Sequence, residues 1–466
     1  MITAATTHCS PRACARAAAV VVLTLLALSA TAGPAVAHAT LQTSSPEQGQ
    51  VYPAGQPPAR VVLEFDEAVD AKSAISLYAD DGKQVPGVEQ RDGSGRRVIA
   101  ALPSLADGAY AFVWHVVSQD GHPEHGVVAF SVGSGATTGA EFGDLGGAQS
   151  AGHFYGFLFG AVRFLAFVGA LLFVGGLVVA RWLWPQSIER RDVRALLLTL
   201  WTTGVVGTLL TVPFQAGYAS TGGWSKFLDS GALQDVLDAR YGRGALARVI
   251  LLVALVPFAL LRIRAPRSRA RIPIETVVGL CALGVLATFA YAGHASTGRW
   301  TGAGVTVDVV HLVGVAAWLG GIVLLTVTLR RPGDVQEALS ATERFARIAL
   351  PAIGLVVISG AVQAWRQVES GAALWDTDYG RLLIAKILVV VSIVIVASAT
   401  RDLLRHRIQP RLRPTPDATP DATPDAALPA GVDPGDVAQL RTALLVEVAL
   451  AAIVLALTAA IVVSAP

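Results

Sequence analysis

The sequence contains very little sulfur. Of its 466 residues, three are cysteines and one is methionine. Cys9 and Cys14 lie near the N-terminus and Cys281 lies in an apolar run, so the segment between Cys14 and Cys281 cannot form a disulfide. No C-x-x-C pair is present, which excludes the common zinc and thiol-redox motifs. A folded domain in that segment must therefore be held together by its apolar core.

Two other signatures are missing. The formal net charge is +2 and no basic stripe with interleaved aromatic residues appears, so nucleic acid is not an expected partner. No phosphate-binding G-x-x-x-x-G-K-[ST] loop occurs, which argues against a nucleotide as a partner or energy source. The sequence predicts no catalytic residues, and we do not expect an enzyme.

Long apolar runs dominate the chain after about residue 151. Apolar residues make up 53% of the sequence, and here they form runs of about 20 residues, the length that crosses a hydrocarbon core. This pattern predicts an all-α polytopic membrane domain over residues 152–463. Its eight predicted transmembrane helices cover residues 153–180, 193–215, 243–262, 274–293, 304–329, 347–366, 381–400 and 441–463.

Arginine is distributed unevenly among the loops that join these helices. The loops after the first, third, fifth and seventh helix are rich in arginine, and the alternate loops carry far fewer basic residues. Because basic loops stay on the cytoplasmic side, the N-terminal domain and the C-terminus are predicted to be extracytoplasmic. We therefore predict a multi-pass protein of the cytoplasmic membrane. Residues 408–438 form a low-complexity cytoplasmic loop to which we assign no function.

The first 37 residues have the features of a secretory signal peptide. Arg12 and Arg16 precede an apolar run, and Ala35-Val36-Ala37 supplies small residues at the cleavage positions. Cleavage after Ala37 would make His38 the first residue of the mature chain. An N-terminal histidine offers an amine and an imidazole as a bidentate nitrogen ligand, and divalent copper favours such donors.

Residues 38–133 alternate between apolar and polar positions, as β-strands do. Val61, Leu63 and Phe65 share one side of a predicted strand. Turn sequences rich in Asp and Gly separate several such strands, which predicts an all-β sandwich or barrel. The following Gly-, Ala- and Thr-rich stretch, residues 134–151, is typical of a flexible linker.

The loop between the last two predicted strands concentrates metal-binding side chains. Asp120, His122, Glu124 and His125 offer two carboxylates and two imidazoles, and His38 is free to reach them. The alternative is a polar hairpin with surface histidines, which would be the favoured interpretation for any single histidine. The coincidence with an N-terminal histidine favours a metal site.

This domain resembles the CopC copper-binding family. The resemblance is carried by His38, Ser45-Pro46, Gly49, the segment Leu63–Glu67 and the segment Trp114–Pro123. It implies a Greek-key sandwich of the immunoglobulin-like or cupredoxin-like kind. It also implies Cu(II) binding through the amine and imidazole of His38, the carboxylate of Asp120 and the imidazole of His122, and Glu67 matches a position that supports the site.

Two observations refine that expectation. Some members of the family add a methionine-rich Cu(I) site, but the only methionine here is Met1, so we predict a domain for Cu(II) alone. His115 and His125 lie outside the family pattern. His125 could serve as an extra or exchange ligand, although a solvated loop histidine is the favoured interpretation.

A second group of candidate ligands lies in the membrane domain. His294 follows the fourth predicted helix, and Asp308 and His311 lie three residues apart on one face of the fifth. Ionisable residues in membrane helices are costly and are therefore candidates for function. We predict that these three residues form a copper site at the extracytoplasmic mouth. The alternative is that they are interfacial residues that bind water or backbone.

The membrane domain resembles the CopD family. The resemblance is carried by Gly293-His294-Ala295, Asp308–Leu312, Trp318–Gly321, Phe345-Ala346-Arg347, Ser359-Gly360, Tyr379-Gly380, Lys386 and Glu447. It implies movement of copper across the inner membrane.

A weak internal repeat relates the second and third predicted helices to the sixth and seventh. The two units run in the same sense, as parallel repeats do in some transporters. Chance similarity between apolar helices is the alternative. The corresponding positions are Gln215 and Gln363, Tyr241 and Tyr379, and Arg248 and Lys386.

Three basic residues lie within or close to the predicted helices. We expect Arg248 and Lys386 to extend towards the membrane surface. Arg163 lies near the middle of its helix, and the sequence identifies no partner for it.

These observations predict copper binding, copper transport and copper homeostasis. The β domain would capture Cu(II), and the membrane domain would import copper, driven by the membrane potential. The expected partners are the copper ion, the lipid membrane and an extracytoplasmic copper donor. One alternative is a membrane-anchored module that buffers or senses copper without transport. Another is a redox enzyme with haem bound by membrane histidines, which is less favoured because His294 and His311 lie at the same surface.

Overall fold

The computed structural model describes residues 41–66, 68–69, 74–92, 95–118, 121, 123–133, 152–260, 271–296, 300–329, 335–367, 375, 378–408 and 433–463. The predicted signal peptide, the predicted linker and most of the predicted cytoplasmic loop lie outside these residues. The described part contains a β domain followed by a helical domain.

The β domain is built from two sheets of short strands. One sheet has the order β1-β3-β7-β6, and the other has the order β2-β9-β8-β4-β5. All pairs are antiparallel except β2 with β9. The strands are β1 Leu41–Ser45, β2 Gln50–Tyr52, β3 Arg60–Phe65, β4 Ala74–Ala79, β5 Gln84–Val85, β6 Glu89–Asp92, β7 Arg97–Ala101, β8 Gly108–Val117 and β9 Pro123–Val132.

The core of this domain follows the alternation predicted for its strands. Val61, Leu63 and Phe65 of β3 are buried, as expected for residues that share one face of a strand. The ring of Phe65 packs edge-on against Trp114 of β8, with 5.3 Å between centroids. Complete burial of one such side chain contributes about 1.5–3 kcal/mol. Aromatic and aliphatic packing thus supplies the stability that disulfides cannot supply here.

The helical domain contains eight described helices that are long and apolar enough to cross a membrane. This confirms the predicted fold class. The described α-helices are α1 His153–Val178, α2 Arg191–Ala219, α3 Ser230–Asp238, α4 Arg240–Leu260, α5 Arg271–Tyr291, α6 Thr301–Thr328, α7 Val335–Gln367, α8 Asp378–Leu403 and α9 Pro434–Val463. Helix α3 is too short to span a membrane, and α7 and α9 begin several residues before their predicted spans.

Glycines let α1 and α6 cross closely; these helices begin the two halves of the helical domain, α1–α5 and α6–α9, each of which contains one unit of the internal repeat. A Cβ atom added to Gly175 of α1 would overlap the carbonyl of Ala316, and one added to Gly320 of α6 would overlap the backbone of Gly175. Only residues without a side chain allow two helix backbones to approach in this way. Helices α1 and α6 therefore form the junction between the two halves.

The helix contacts place several functional segments at the same end of the bundle. The C-terminal end of α2 lies beside the N-terminal end of α4, because Gln215 and Tyr241 both approach Gly121. Arg240, at the start of α4, donates to the carbonyl of Ser296, 3.3 Å away, in the turn between α5 and α6. Both the contact with the β domain and the start of α6 are therefore at this end.

Candidate functional site

Two of the predicted copper ligands of the β domain, Asp120 and His122, belong to the short segment of sequence that joins β8 to β9. His38, Glu67, Asp120 and His122 are outside the described residues, so their role as ligands stays a prediction. Strands β8 and β9 pair without interruption as far as Val117 and Pro123. The loop that contains Asp120 and His122 is consequently held at the end of a regular antiparallel ladder.

Gly121, between the two predicted loop ligands, fits a position that only glycine tolerates well. Its φ is +91°, in the left-handed region, and its N–H donates to the carbonyl of Ser118, 2.9 Å away. A side chain at this φ would be strained. An added Cβ would also lie 3.0 Å from Nε2 of Gln215 and 3.4 Å from Cδ2 of Tyr241. The loop is therefore packed directly against the helical domain.

A buried hydrogen bond joins the two domains at this glycine. The side-chain amide of Gln215 on α2 donates from Nε2 to the carbonyl of Gly121. Gln215 is 2% exposed, and its Oε1 has no hydrogen-bond partner among the described residues. The sequence offered no signal that this particular glutamine touches the loop, since the two residues are far apart in the chain.

Charged groups surround this contact. Glu124 of β9 and Arg163 of α1 both lie within electrostatic range of the Tyr218 hydroxyl on α2. The guanidinium of Arg163 also lies over the rings of Phe159 and Tyr241, at 5.3 and 5.8 Å from their centroids. The structure thus supplies the aromatic partners for Arg163 that the sequence did not identify, and it places a cation next to the hairpin.

His115 and His125, which lie outside the family pattern, are directly opposite each other on β8 and β9. Side chains at such positions point to the same face of a sheet. Burial lowers the pKa of His115 to about 4, and the charge of His125 acts in the same direction. The imidazole of His115 is therefore neutral at pH 7, and its Nε2 has no hydrogen-bond partner within the described part of the chain.

In the membrane domain, Asp308 and His311 of α6 both face α7. Nε2 of Gln363 donates to Oδ1 of Asp308 over 3.1 Å, and Nδ1 of His311 lies 3.0 Å from Oγ of Ser359. Ser359 and Gln363 are one turn apart on α7, so they match the spacing of Asp308 and His311. The structure confirms that the two predicted residues share one helix face.

The hydrogen bonds of Ser359 orient the imidazole of His311. The Ser359 hydroxyl donates to the carbonyl of Leu355 over 2.5 Å, so its oxygen is left to accept a hydrogen bond from Nδ1–H of His311. The other ring nitrogen, Nε2, then carries the lone pair that a metal would bind. A second hydrogen bond of this kind commonly orients histidines that bind metals.

Lys386 of α8 joins this group of residues. Its ammonium group interacts electrostatically with both Asp308 and His311. The prediction of a copper site from His294, Asp308 and His311 did not include this lysine, although the sequence repeat had marked it. A lysine beside the carboxylate can neutralise Asp308 when no other cation is bound.

The third predicted membrane ligand, His294, is described only in its backbone. His294 begins a short 3-10 turn, His294–Ser296, but its side chain lies outside what the structure describes. Within the described residues, no group of three or more His, Cys, Asp or Glu side chains is arranged to hold a metal ion. The participation of His294 therefore stays a prediction.

One expectation about the buried basic residues is wrong. Arg248 does not extend to the membrane surface, because it is 6% exposed and donates from Nε to Oγ1 of Thr288 over 3.0 Å. Its guanidinium also lies 3.5 Å from the ring centroid of Phe289. A threonine and a phenylalanine on α5 thus bind a cation that was expected to extend towards the membrane surface.

Glu447 of α9 is also buried. It is 3% exposed, and its Oε1 accepts a hydrogen bond from Oγ1 of Thr400, 2.7 Å away on α8. This contact identifies a partner for a carboxylate that the sequence left unpaired.

Profiles of three known families match successive parts of the chain. The profile described as "CopC domain" matches residues 41–133. The profile "Copper resistance protein D-like, N-terminal domain" matches residues 155–304, and "Copper resistance protein D" matches residues 339–461. The first of these membrane profiles covers α1 to α5 and the second covers α7 to α9, so most of α6, with Asp308 and His311, lies between the two matches.

Two curated proteins are similar to much of the chain. "Copper transport protein CutJ" of Bacillus subtilis is 26% identical over 362 residues, which cover 75% of this chain and 65% of CutJ. "Inner membrane protein YebZ" of Escherichia coli is 27% identical over 258 residues, 53% of this chain and 85% of YebZ. The chain thus spans slightly less than two thirds of the length of CutJ.

Two solved structures are similar to the N-terminal part. CopC from Methylosinus trichosporium OB3b is 30% identical, with a TM-score of 0.19, over 22% of this chain and 99% of that protein. PcoC, a methionine-rich copper resistance protein from Escherichia coli, is 25% identical, with a TM-score of 0.19, over 21% of this chain and 99% of that protein.

Proposed function

We propose that this chain, which belongs to the CopC/CopD family of copper-resistance proteins, captures Cu(II) outside the cytoplasmic membrane and passes copper inward. The observation that carries the proposal is the contact between the domains. The hairpin that contains the predicted copper ligands is hydrogen-bonded through Gly121 to Gln215 of the membrane domain. A capture site and a membrane domain in direct contact are what transfer between them requires.

The donor chemistry supports divalent copper as the captured ion. His38, Asp120 and His122 offer nitrogen and oxygen atoms, which suit Cu(II), whereas Cu(I) prefers thiolates and thioethers. The single methionine lies at position 1, and no cysteine lies between Cys14 and Cys281. Copper is the cargo of this chain in our proposal, so the site must both hold the ion and release it.

Inward movement is supported by the arrangement of charge. The β domain contacts the C-terminal end of α2, the end opposite to the arginine-rich loops. If those loops are cytoplasmic, the β domain is extracytoplasmic and the membrane potential favours inward movement of a cation. No nucleotide-binding loop occurs in the sequence, so we propose facilitated transport without a nucleotide and without an enzymatic reaction.

Asp308 and His311 provide the next point of contact for copper in this proposal. Both lie at the same end of the bundle as the β domain, and Nε2 of His311 is left available by the hydrogen bond at Nδ1. A carboxylate and an imidazole are suitable donors for Cu(II). Lys386 would leave Asp308 when copper arrives, because two cations near one carboxylate repel each other.

The test is Cu(II) binding and uptake by the full chain in lipid vesicles. The processed protein that begins at His38 is compared with the same protein carrying one extra N-terminal residue. We expect the extension to abolish a nitrogen-rich tetragonal signal in electron paramagnetic resonance and to reduce uptake. An unchanged signal would show that the His38 amine does not bind the ion, and the proposed capture site would be wrong.

A membrane-anchored buffer or sensor of copper is the second candidate. It is favoured by the finding that the described residues hold no group of three or more metal-binding side chains in the membrane domain. Under this alternative, vesicles with the wild-type chain would bind copper on their outer surface without accumulating it. Replacement of His311 by Asn would then leave copper accumulation at the background level of empty vesicles.

A further inference from the structure

The N–H group and the oxygen of the Gln215 side-chain amide differ in their hydrogen bonding. Its amide N–H donates to the carbonyl of Gly121, which fixes the orientation of the amide. Its Oε1 is buried and accepts no hydrogen bond from the part of the chain that the structure describes. Buried amide oxygens are normally paired, and those that are not call for an explanation such as a ligand. An oxygen of this kind is therefore a candidate to bind something that is not always present.

The position of this oxygen is informative because of its neighbours. Gly121, the residue that Gln215 contacts, lies between Asp120 and His122 in the sequence, and both are predicted copper ligands. The ring of Tyr241 packs against the same glycine from α4. An added Cβ at position 121 would be in tight contact with both side chains, so the hairpin and the end of α2 meet closely at this glycine. Gln215 therefore contacts the residue that separates the two predicted ligands in the sequence.

We propose that Gln215 is the residue of the membrane domain that receives copper from the hairpin, with Oε1 as the first ligand. This inference rests on the proposed function. The step is a ligand exchange: a lone pair of Oε1 binds Cu(II) as one ligand of the loop dissociates, and no electron is transferred. An amide oxygen is a weak neutral donor, which suits a ligand that must accept the ion and then release it.

The internal repeat supports this role independently. Gln363 occupies the position in α7 that corresponds to Gln215 in α2, and its amide donates to Asp308. Each half of the membrane domain thus places a glutamine beside a group of predicted copper ligands. In the first half these ligands belong to the β domain, and in the second half they are Asp308 and His311. The two glutamines mark two successive positions on one route.

A structural role for Gln215 makes a different prediction. If the residue only fastens the hairpin to the membrane domain, copper uptake depends on the N–H group that donates to Gly121. If the residue receives copper, uptake depends on the side-chain oxygen Oε1. Replacement of Gln215 by Leu removes both groups, whereas replacement by Glu keeps oxygen atoms and removes the N–H group. The two variants therefore separate the two roles.

The experiment uses the full chain in lipid vesicles loaded with a copper-sensitive dye. Gln215→Leu and Gln215→Glu are compared with wild type, and Gln234→Leu is the control, because it changes an exposed glutamine on the short helix α3, which follows α2. Binding of Cu(II) to the β domain is measured separately by electron paramagnetic resonance. Gel filtration shows whether each variant is folded.

We expect Gln215→Leu to bind Cu(II) as wild type does but to take it up about tenfold more slowly or worse, the size of effect seen when groups near a metal are removed. Gln215→Glu should retain copper on the protein and change the resonance spectrum, because a carboxylate binds more strongly than an amide. Gln234→Leu should match wild type.

Two outcomes would overturn the inference. Equal loss of uptake in both Gln215 variants, with unchanged spectra, would mean that the residue only fastens the hairpin. Uptake by Gln215→Leu at the wild-type rate would mean that copper does not pass this residue. If wild type itself binds copper but does not take it up, the proposed transport function fails instead, so the two failures are distinguishable.

Discussion

Replacement of Gly121 by Ala should separate the β domain from the membrane domain. The added Cβ would lie 3.0 Å from Nε2 of Gln215 and 3.4 Å from Cδ2 of Tyr241. Either the glutamine or the hairpin must move, and the hydrogen bond to the Gly121 carbonyl is then weakened or lost. The φ of +91° adds strain for any residue with a side chain.

The expected magnitude follows from these contacts. A lost hydrogen bond costs about 1 kcal/mol, and inserting a methyl group into a packed contact costs about 1–3 kcal/mol. The strain at φ acts on the docked and the separated hairpin alike, so it is left out. Docking should therefore weaken by about 2–4 kcal/mol, which changes the docking equilibrium by roughly 30-fold or more.

The assay is the distance between spin labels on the two domains. Labels are attached at Lys83→Cys and Gln234→Cys in a Cys281→Ser background, since positions 83 and 234 are exposed. We expect a narrow distance distribution in the parent protein and a broad one in the Gly121→Ala variant. Gly55→Ala is the matched control, because Gly55 has a φ of +70° and no atom within 4 Å of an added Cβ. A narrow distribution in both variants would refute the reasoning.

Three further predictions follow from the described side chains. Ser359→Ala should reduce copper uptake about tenfold, because it removes the hydroxyl that orients His311. Ser392→Ala on α8 is the control. Equal uptake by the two variants would contradict this role of Ser359. The unfolding temperature of the β domain, measured by calorimetry, should fall as the pH drops from 6.5 towards 4. The reason is that the unfolded chain binds a proton at position 115 in this range, whereas folded His115, with its pKa lowered to about 4, does not. His115→Gln should flatten this dependence, and an unchanged slope would show that another group causes it. Thr400→Val should lower the stability of the detergent-solubilised protein by about 1–3 kcal/mol, because it leaves the buried Glu447 carboxylate without its hydroxyl partner. Thr442→Val, at an exposed position, should leave the stability unchanged. Equal destabilisation by both variants would argue against the Glu447 contact.

Several features of the fold could be predicted because they depend on patterns of neighbouring residues. The alternation of Val61, Leu63 and Phe65 was sufficient to place them in the core, since successive residues of a strand face opposite sides. The eight membrane helices could be predicted from runs of apolar residues, since a backbone in lipid must satisfy its own hydrogen bonds. Their ends were less certain: α7 begins at Val335, twelve residues before the predicted span.

The candidate membrane site could be predicted in part. Asp308 and His311 were identified because they are three residues apart in a helix and ionisable in a membrane span. Lys386, Ser359 and Gln363, which contact or face them, were not assigned to the site. They lie on α7 and α8, and no local pattern shows which face of one helix meets which face of another.

By itself the sequence determined the order of the domains, the predominance of strands in the first domain and of long helices in the second, and the kinds of atom available to a metal. Only the tertiary structure showed that Arg248 is buried against Thr288 and Phe289, and that Gln215 meets Gly121, 94 residues away. The physical reason is that periodicity reports burial along one element, whereas a contact between distant residues depends on how the elements pack. That packing brings Gly121 of the β-domain hairpin against the side-chain amide nitrogen of Gln215.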